Sequence, residues 1–172
     1  MNSKTAPRGA IVVGVDGSAN SDLALDWAVD EATRRGLPLH IIHGIPYRSP
    51  MTRLGIGYEI DGLRQLAAGL RKDAIARVDR ANPELVVTWD QSTYGPASAL
   101  VDASDTADTV VVGARGRGGF GGLLLGSVSQ GVMHGAQCPV AIAHGPRESP
   151  SDGRTTDTVR HLVSVPAVHE HS

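Results

Sequence analysis

Five short apolar runs rich in β-branched residues, separated by stretches with helical spacing, constrain this 172-residue chain more than any other feature. The first, residues 10–16 (AIVVGVD), stops at an acid followed by Gly17, as a strand buried on both faces does. Ser18 or Ser21 can cap the helix that follows, where Leu23, Ala24, Trp27, Ala28 and Ala32 recur at three- and four-residue steps before Arg34, Arg35 and Gly36. Residues 37–45 (LPLHIIHGI) supply a second strand, and 46–57 a loop rich in Pro, Gly and Ser. Ile60, Leu63, Leu66, Ala67, Leu70, Ala74 and Val78 trace one face of a second helix. Residues 85–90 predict a third strand, 96–103 a short third helix, 109–112 (TVVV) a fourth strand, 127–134 a fourth helix and 139–143 (PVAIA) a fifth strand. Alternating strands and helices, with strands apolar on both faces, imply an α/β fold: a parallel sheet covered by helices on both sides, because right-handed crossovers leave few other topologies.

That reading gives one domain over residues 9–145, a flexible start at 1–8 and a tail at 146–172. The tail turns to Pro, Ser, Asp, Thr, Arg and His, which cannot bury enough apolar area to offset ordering, so it reads as disordered. Its stretch HLVSVPAV reads as a segment that touches the domain edge. With 16 basic and 18 acidic residues the net charge is -2, so no global cationic field is available for a nucleic acid or an anionic membrane. Only 3% of residues are aromatic, which disfavours base-stacking platforms for single strands. The single cysteine, Cys138, fits a reducing compartment, and the start lacks the apolar stretch of a secretory signal. No apolar run is long enough to cross a bilayer, and the expectation is a cytoplasmic protein.

Between Gly113 and Gly126, seven of fourteen residues are glycine. Each glycine ordered within structure costs about 0.5–1 kcal/mol relative to alanine, so such a loop suggests that something approaches its backbone closely. Without Cβ atoms, consecutive N–H groups can converge on an anion, and the N-terminus of the next helix adds unpaired donors and a positive dipole end. A phosphate chain fits, and the loops after strands 1 and 4 would flank the crevice where parallel sheets bind ligands. The loop has no lysine, so it is not a Walker A motif. Gly116-Arg-Gly-Gly-Phe-Gly121 matches GxGxxG, but follows the fourth strand and lacks an acid about twenty positions on. Ser127-Val-Ser-Gln-Gly131 lacks the first glycine of a nucleophile elbow. Asp16, at the end of the first strand, can accept hydrogen bonds from a nucleoside or cap the turn into the first helix. Arg115 and Arg117 can pair with phosphate or stay solvated. His40 and His43 fall on opposite faces of the second strand, with no ligand spacing for a metal, and read as structural.

The pattern Gly113-x2-Gly116-x9-Gly126-Ser127, with a first strand ending VGVDGS and a last strand entered through Cys138-Pro139-Val140, resembles the ATP-binding subgroup of the universal stress protein family over residues 9–144. The resemblance implies a Rossmann-like five-stranded sheet of order 3-2-1-4-5, a nucleotide across the ends of strands 1, 2 and 4, and a homodimer. Strand 5 would be an apolar edge in that order and the contact between copies. Asp16, the backbone at Gly14 and Val15, and the main chain near Gly44 would meet the nucleoside. Gly113 would sit by the ribose, and Gly116, Gly126, Ser127 and Val128 would hold the phosphates. Members usually carry a β-branched residue where this chain has Gly44, which implies looser adenine packing and leaves ATP, AMP and a cyclic nucleotide open. The implied function is a stress-response regulator whose occupancy by ATP, alone or with Mg²⁺, modulates dimer or partner contacts, the protein partner being unknown. Catalysis is not expected, since there is no Walker lysine and no second acid near the loop; slow ATP hydrolysis would need charge stabilisation from Arg115 or Arg117 with Mg²⁺.

Overall fold

A computed structural model of the chain describes residues 6–44, 58–116 and 125–145. The five apolar runs form β1 (Ile11–Gly14), β2 (Leu39–Gly44), β3 (Val87–Ser92), β4 (Thr109–Gly113) and β5 (Val140–Ala143). Between them lie α1 (Ala19–Arg35), α2 (Tyr58–Ala81), α3 (Pro96–Ser104) and α4 (Ser127–Gly135). All strand pairs are parallel, and the sheet order is β3-β2-β1-β4-β5.

Local chemistry sets the ends of α1. Ser18 is extended (φ -83°, ψ 157°) and its hydroxyl accepts the Ser21 N–H, so of the two candidate caps it is Ser18 that serves. At the other end Gly36 takes a left-handed conformation (φ 64°), and the Leu37 N–H donates to the Ala32 carbonyl. Leu37 therefore still belongs to the helix end, and β2 starts at Leu39 instead of 37. Arg35 then reaches Asp108 with two hydrogen bonds of 2.6 and 2.7 Å, tying the end of α1 to the entry of β4.

Period-two alternation divides the core into two layers. Ile11, Val13, Leu39, Ile41 and Val111 face α1 and α2, together with Leu25 and Val78. Val12, Ile42, Val110 and Val112 face α3 and α4, together with Leu100 and Val132. Leu100 is 1% exposed, and truncating such a side chain to alanine costs about 2–5 kcal/mol.

Other boundaries differ from the sequence expectation as well. β3 runs two residues later, to Ser92, because the six residues of β2 pair one to one with it, from Leu39 beside Val87 to Gly44 beside Ser92. β1 leaves its ladder after Gly14, so Val15 and Asp16 lie beyond it. Ahead of Gly9, Ala6 is buried in the α3/α4 layer, and the Gly9 N–H donates to the Thr106 carbonyl, so the chain already packs against the domain before β1. The expected loop at 46–57 and the tail at 146–172 lie outside the described residues. Among the described residues no helix is long and apolar enough to cross a membrane.

Candidate functional site

In the order β3-β2-β1-β4-β5, the chain leaves β1 in one direction and β4 in the other, so the carboxyl ends of β1 and β4 flank the switch point where ligands enter such sheets. Gly14, Gly44 and Gly113 are the last residues of β1, β2 and β4. Packing explains all three. A Cβ at Gly14 would lie 2.9 Å from Leu100 Cδ1, one at Gly44 2.5 Å from Pro96 Cα, and one at Gly113 2.7 Å from the Asn20 carbonyl carbon. At Gly113 the close neighbour is therefore protein backbone. A Cβ at Gly44 would overlap Pro96, so the start of α3 closes tightly over the end of β2.

Beyond β1 the chain folds into a turn stitched by short side chains. Asp16 Oδ1 accepts the Ser18 N–H at 2.9 Å, so the capping role considered for this carboxylate is realised. Ser21 Oγ accepts the Gly17 N–H at 3.1 Å and donates to the Ser18 carbonyl at 2.9 Å. Ser18 Oγ also donates to the Arg115 carbonyl at 3.4 Å, joining the loop after β1 to the loop after β4. A Cβ at Gly116 would overlap Asp16 Oδ2, which places the carboxylate directly over that glycine.

The start of α4 is held against the end of β4. The Gly126 N–H donates to the Ala114 carbonyl at 2.7 Å, and the Ser129 hydroxyl donates to the Gly113 carbonyl at 2.7 Å. Gly126 is the N-cap, extended at φ -79° and ψ 166°, and supplies no side-chain cap. Among the described residues, the first-turn amides of Ser127, Val128 and Ser129 have no intrahelical or side-chain capping acceptor and stand at the positive end of the helix dipole. Gly126 packs within 3.6 Å of the Gly116 nitrogen, measured from a Cβ placed on it, so this helix start faces the same glycine that Asp16 covers. Arg115 is exposed on this rim, and Arg117 lies outside the described residues.

The structure thus brings Gly14, Val15, Asp16, Gly113, Arg115, Gly116, Gly126, Ser127 and Val128 to two adjoining strand ends, with Gly44 one strand away. Sequence reasoning missed Ser129 and the joint role of Ser18 and Ser21. The signal was present as serines three apart at a strand exit and a serine in the first turn of α4, residues that bond to nearby backbone. His43, read as structural, is buried and its Nδ1 lies 2.8 Å from the Val15 carbonyl. A separate groove of about 400 Å³ opens between α1 and α2, reaching Val15 and Gly17, but its walls do not include Gly113, Gly116 or Gly126. Among the described residues no three His, Cys, Asp or Glu side chains converge as a metal site. The arrangement offers a carboxylate for polar nucleoside groups and the first-turn amides of α4 for an anion.

Residues 7–144 match the universal stress protein family. A universal stress protein of Mycobacterium tuberculosis (strain ATCC 25618 / H37Rv) is 38% identical over 146 residues, covering 83% of this chain and 46% of that protein. The chain thus spans about half the length of that relative. Among solved structures, a universal stress protein in complex with cAMP is 28% identical with a TM-score of 0.62, over 80% of this chain and 97% of that one. The protein UspA from Lactobacillus plantarum has a TM-score of 0.64 at 21% identity, over 79% of this chain and 98% of that one.

Proposed function

The chain belongs to the universal stress protein family, and from that premise we propose that it binds an adenine nucleotide between the loop after β1 and the start of α4. The observation that carries this reading is the first turn of α4, which has no side-chain cap and whose N-cap Gly126 packs near Gly116, itself beside the Asp16 carboxylate. In this reading Asp16, with the backbone of Gly14 and Val15 and the main chain near Gly44, takes the nucleoside. Gly113 adjoins the ribose, and Gly116, Gly126, Ser127 and Val128 take the phosphates, with Arg115 and Arg117 on the rim.

We assign ATP as the ligand and regulation as the role: occupancy changes the surface offered to a second copy or to a protein partner. Mg²⁺ would enter with the phosphates, since the described residues supply no cluster of acids to hold it alone. Catalysis is not part of the proposal, because Asp16 already serves the turn as an acceptor and the sequence from Gly113 to Gly126 has neither an acid nor a lysine. A second reading, a cyclic nucleotide, is favoured by the 28%-identical structure whose ligand is cAMP. Denaturing the purified protein and identifying the released nucleotide by mass spectrometry separates the two. Release of ATP supports the first reading, cAMP the second, and a protein that neither retains nor binds an adenine nucleotide contradicts both.

A further inference from the structure

The peptide joining Val15 to Asp16 lies just beyond the β1 ladder, so neighbouring strands do not fix it by regular pairing. It is held from two sides instead. The Val15 carbonyl faces His43 Nδ1 at 2.8 Å, and the Asp16 N–H donates to Ser21 Oγ at 3.4 Å. The preceding peptide is anchored as well, since the Val15 N–H donates to the Ile42 carbonyl at 2.9 Å. A carbonyl can only accept, so His43 must carry its proton on Nδ1 to make this bond. The ring is 8% exposed and lies 6.3 Å from the Trp89 ring at an interplanar angle of 31°, which restricts its rotation.

We infer that His43 is a positioning residue for nucleotide binding: through its Nδ1–H it holds the Val15 carbonyl and sets the direction in which the Asp16 carboxylate leaves the backbone. The inference rests on the binding reading above. A rotation of the Val15–Asp16 peptide would swing the carboxylate away from Gly116, and the bond from β2 opposes that rotation. A histidine that merely fills the core would support the fold without acting through Asp16.

The test uses the full chain. Nitrogen NMR of the free protein reads the His43 tautomer, and calorimetric titration with ATP and with cAMP compares wild type, His43→Phe, His43→Asn, Asp16→Ala and the pair His43→Phe/Asp16→Ala. We expect the Nδ1-protonated tautomer, affinity about tenfold weaker in His43→Phe, and recovery to within about threefold in His43→Asn, which returns an N–H donor near Nδ1. In the Asp16→Ala background His43→Phe should cost nothing further, because the group it positions is gone. An Nε2-protonated tautomer, wild-type affinity in His43→Phe, or a full His43→Phe loss that persists without Asp16 overturns the inference. If His43→Phe does not fold, the tautomer and the His43→Asn titration decide: weakened binding in His43→Asn also counts against it. Wild type that binds neither nucleotide while showing the Nδ1 tautomer overturns the nucleotide reading, and the positioning role with it.

Discussion

The Asp16 carboxylate occupies the place that a side chain at Gly116 would take. The two residues are a hundred positions apart in sequence but adjoin because β1 and β4 are neighbours in the sheet. Gly116 has no left-handed backbone, so its requirement for glycine comes from this carboxylate and not from φ. Gly116→Ala should therefore displace Asp16 and weaken ATP binding by about tenfold, a loss of about 1.4 kcal/mol. Asp16→Ala makes room for the new methyl group, so the double variant should lose less than the sum of the singles. A calorimetric cycle on the four proteins measures the coupling, and simple additivity contradicts it.

The glycines that end the strands should separate into two kinds. Gly44→Ala and Gly113→Ala push a methyl group into the backbone of Pro96 and of Asn20, and each should destabilise the fold by about 1–3 kcal/mol. Gly14→Ala meets only side-chain atoms of Leu100 and should cost less. Gly126→Ala meets atoms at 3.5 and 3.6 Å, at a φ of -79° that any residue adopts, and should leave the thermal midpoint near wild type. Urea unfolding of the four variants gives the order, and equal losses at Gly126 and Gly113 contradict it.

Acid should erode stability in two windows. Burial pushes the His40 pKa down, against a smaller upward pull from Asp90, so the folded protein favours neutral imidazole beside Thr88. Because the folded pKa lies below the unfolded one, this contribution is complete above about pH 6.5 and is lost as pH falls through the folded value. The hydrogen bonds from Arg35 hold Asp108 below the usual carboxylate range, so its contribution is complete above about pH 3.9 and is lost at lower pH. The pair is solvent-exposed, so its share is small. Unfolding free energies at about pH 7.5 and about pH 5.5 should differ less in His40→Gln than in wild type, while Asp108→Asn should match wild type over that interval. The same difference in His40→Gln and wild type contradicts the assignment.

Among the described residues β5 is an edge strand of the sheet, which provides a test of the homodimer that the family resemblance implies. Val110 and Ala114 donate to the carbonyls of Pro139 and Ala143, and parallel pairing makes every second residue face β4, so the Ile142 N–H points to the outer edge. Ile142→Pro should remove that donor without breaking the β4 ladder and convert a dimer to monomer. Ile142→Ala controls for the lost buried side chain. Sedimentation at micromolar concentration should show dimer for wild type and Ile142→Ala; a wild-type monomer contradicts the contact.

Much of this architecture was legible in the sequence because the strands are apolar on both faces and the helices carry regular stripes. Parallel pairing and the two-sided core follow from that alternation. The sheet order came instead from the family resemblance, since periodicity does not say which strands are neighbours. Boundaries moved where tertiary contacts took over: Gly36 extends the end of α1 into Leu37, and β3 slides to match β2. The glycines were legible as a group but not in their separate causes. Gly44 and Gly113 answer to the backbone of other elements, and Gly116 to a carboxylate from another loop, partners that are distant in sequence. His43 read as structural because one residue's spacing does not reveal the carbonyl of Val15 across the sheet.

Titration of the purified full chain with ATP, for wild type and for Gly126→Ala, tests the central claim most directly. The methyl group at position 126 should be tolerated by the fold yet stand at the opening of α4, where the phosphates are proposed to bind. We expect saturable wild-type binding near micromolar, about -8 kcal/mol, and affinity at least about tenfold weaker in Gly126→Ala at an unchanged thermal midpoint. Wild type without measurable ATP binding, or a Gly126→Ala variant that binds ATP as tightly as wild type, contradicts the account.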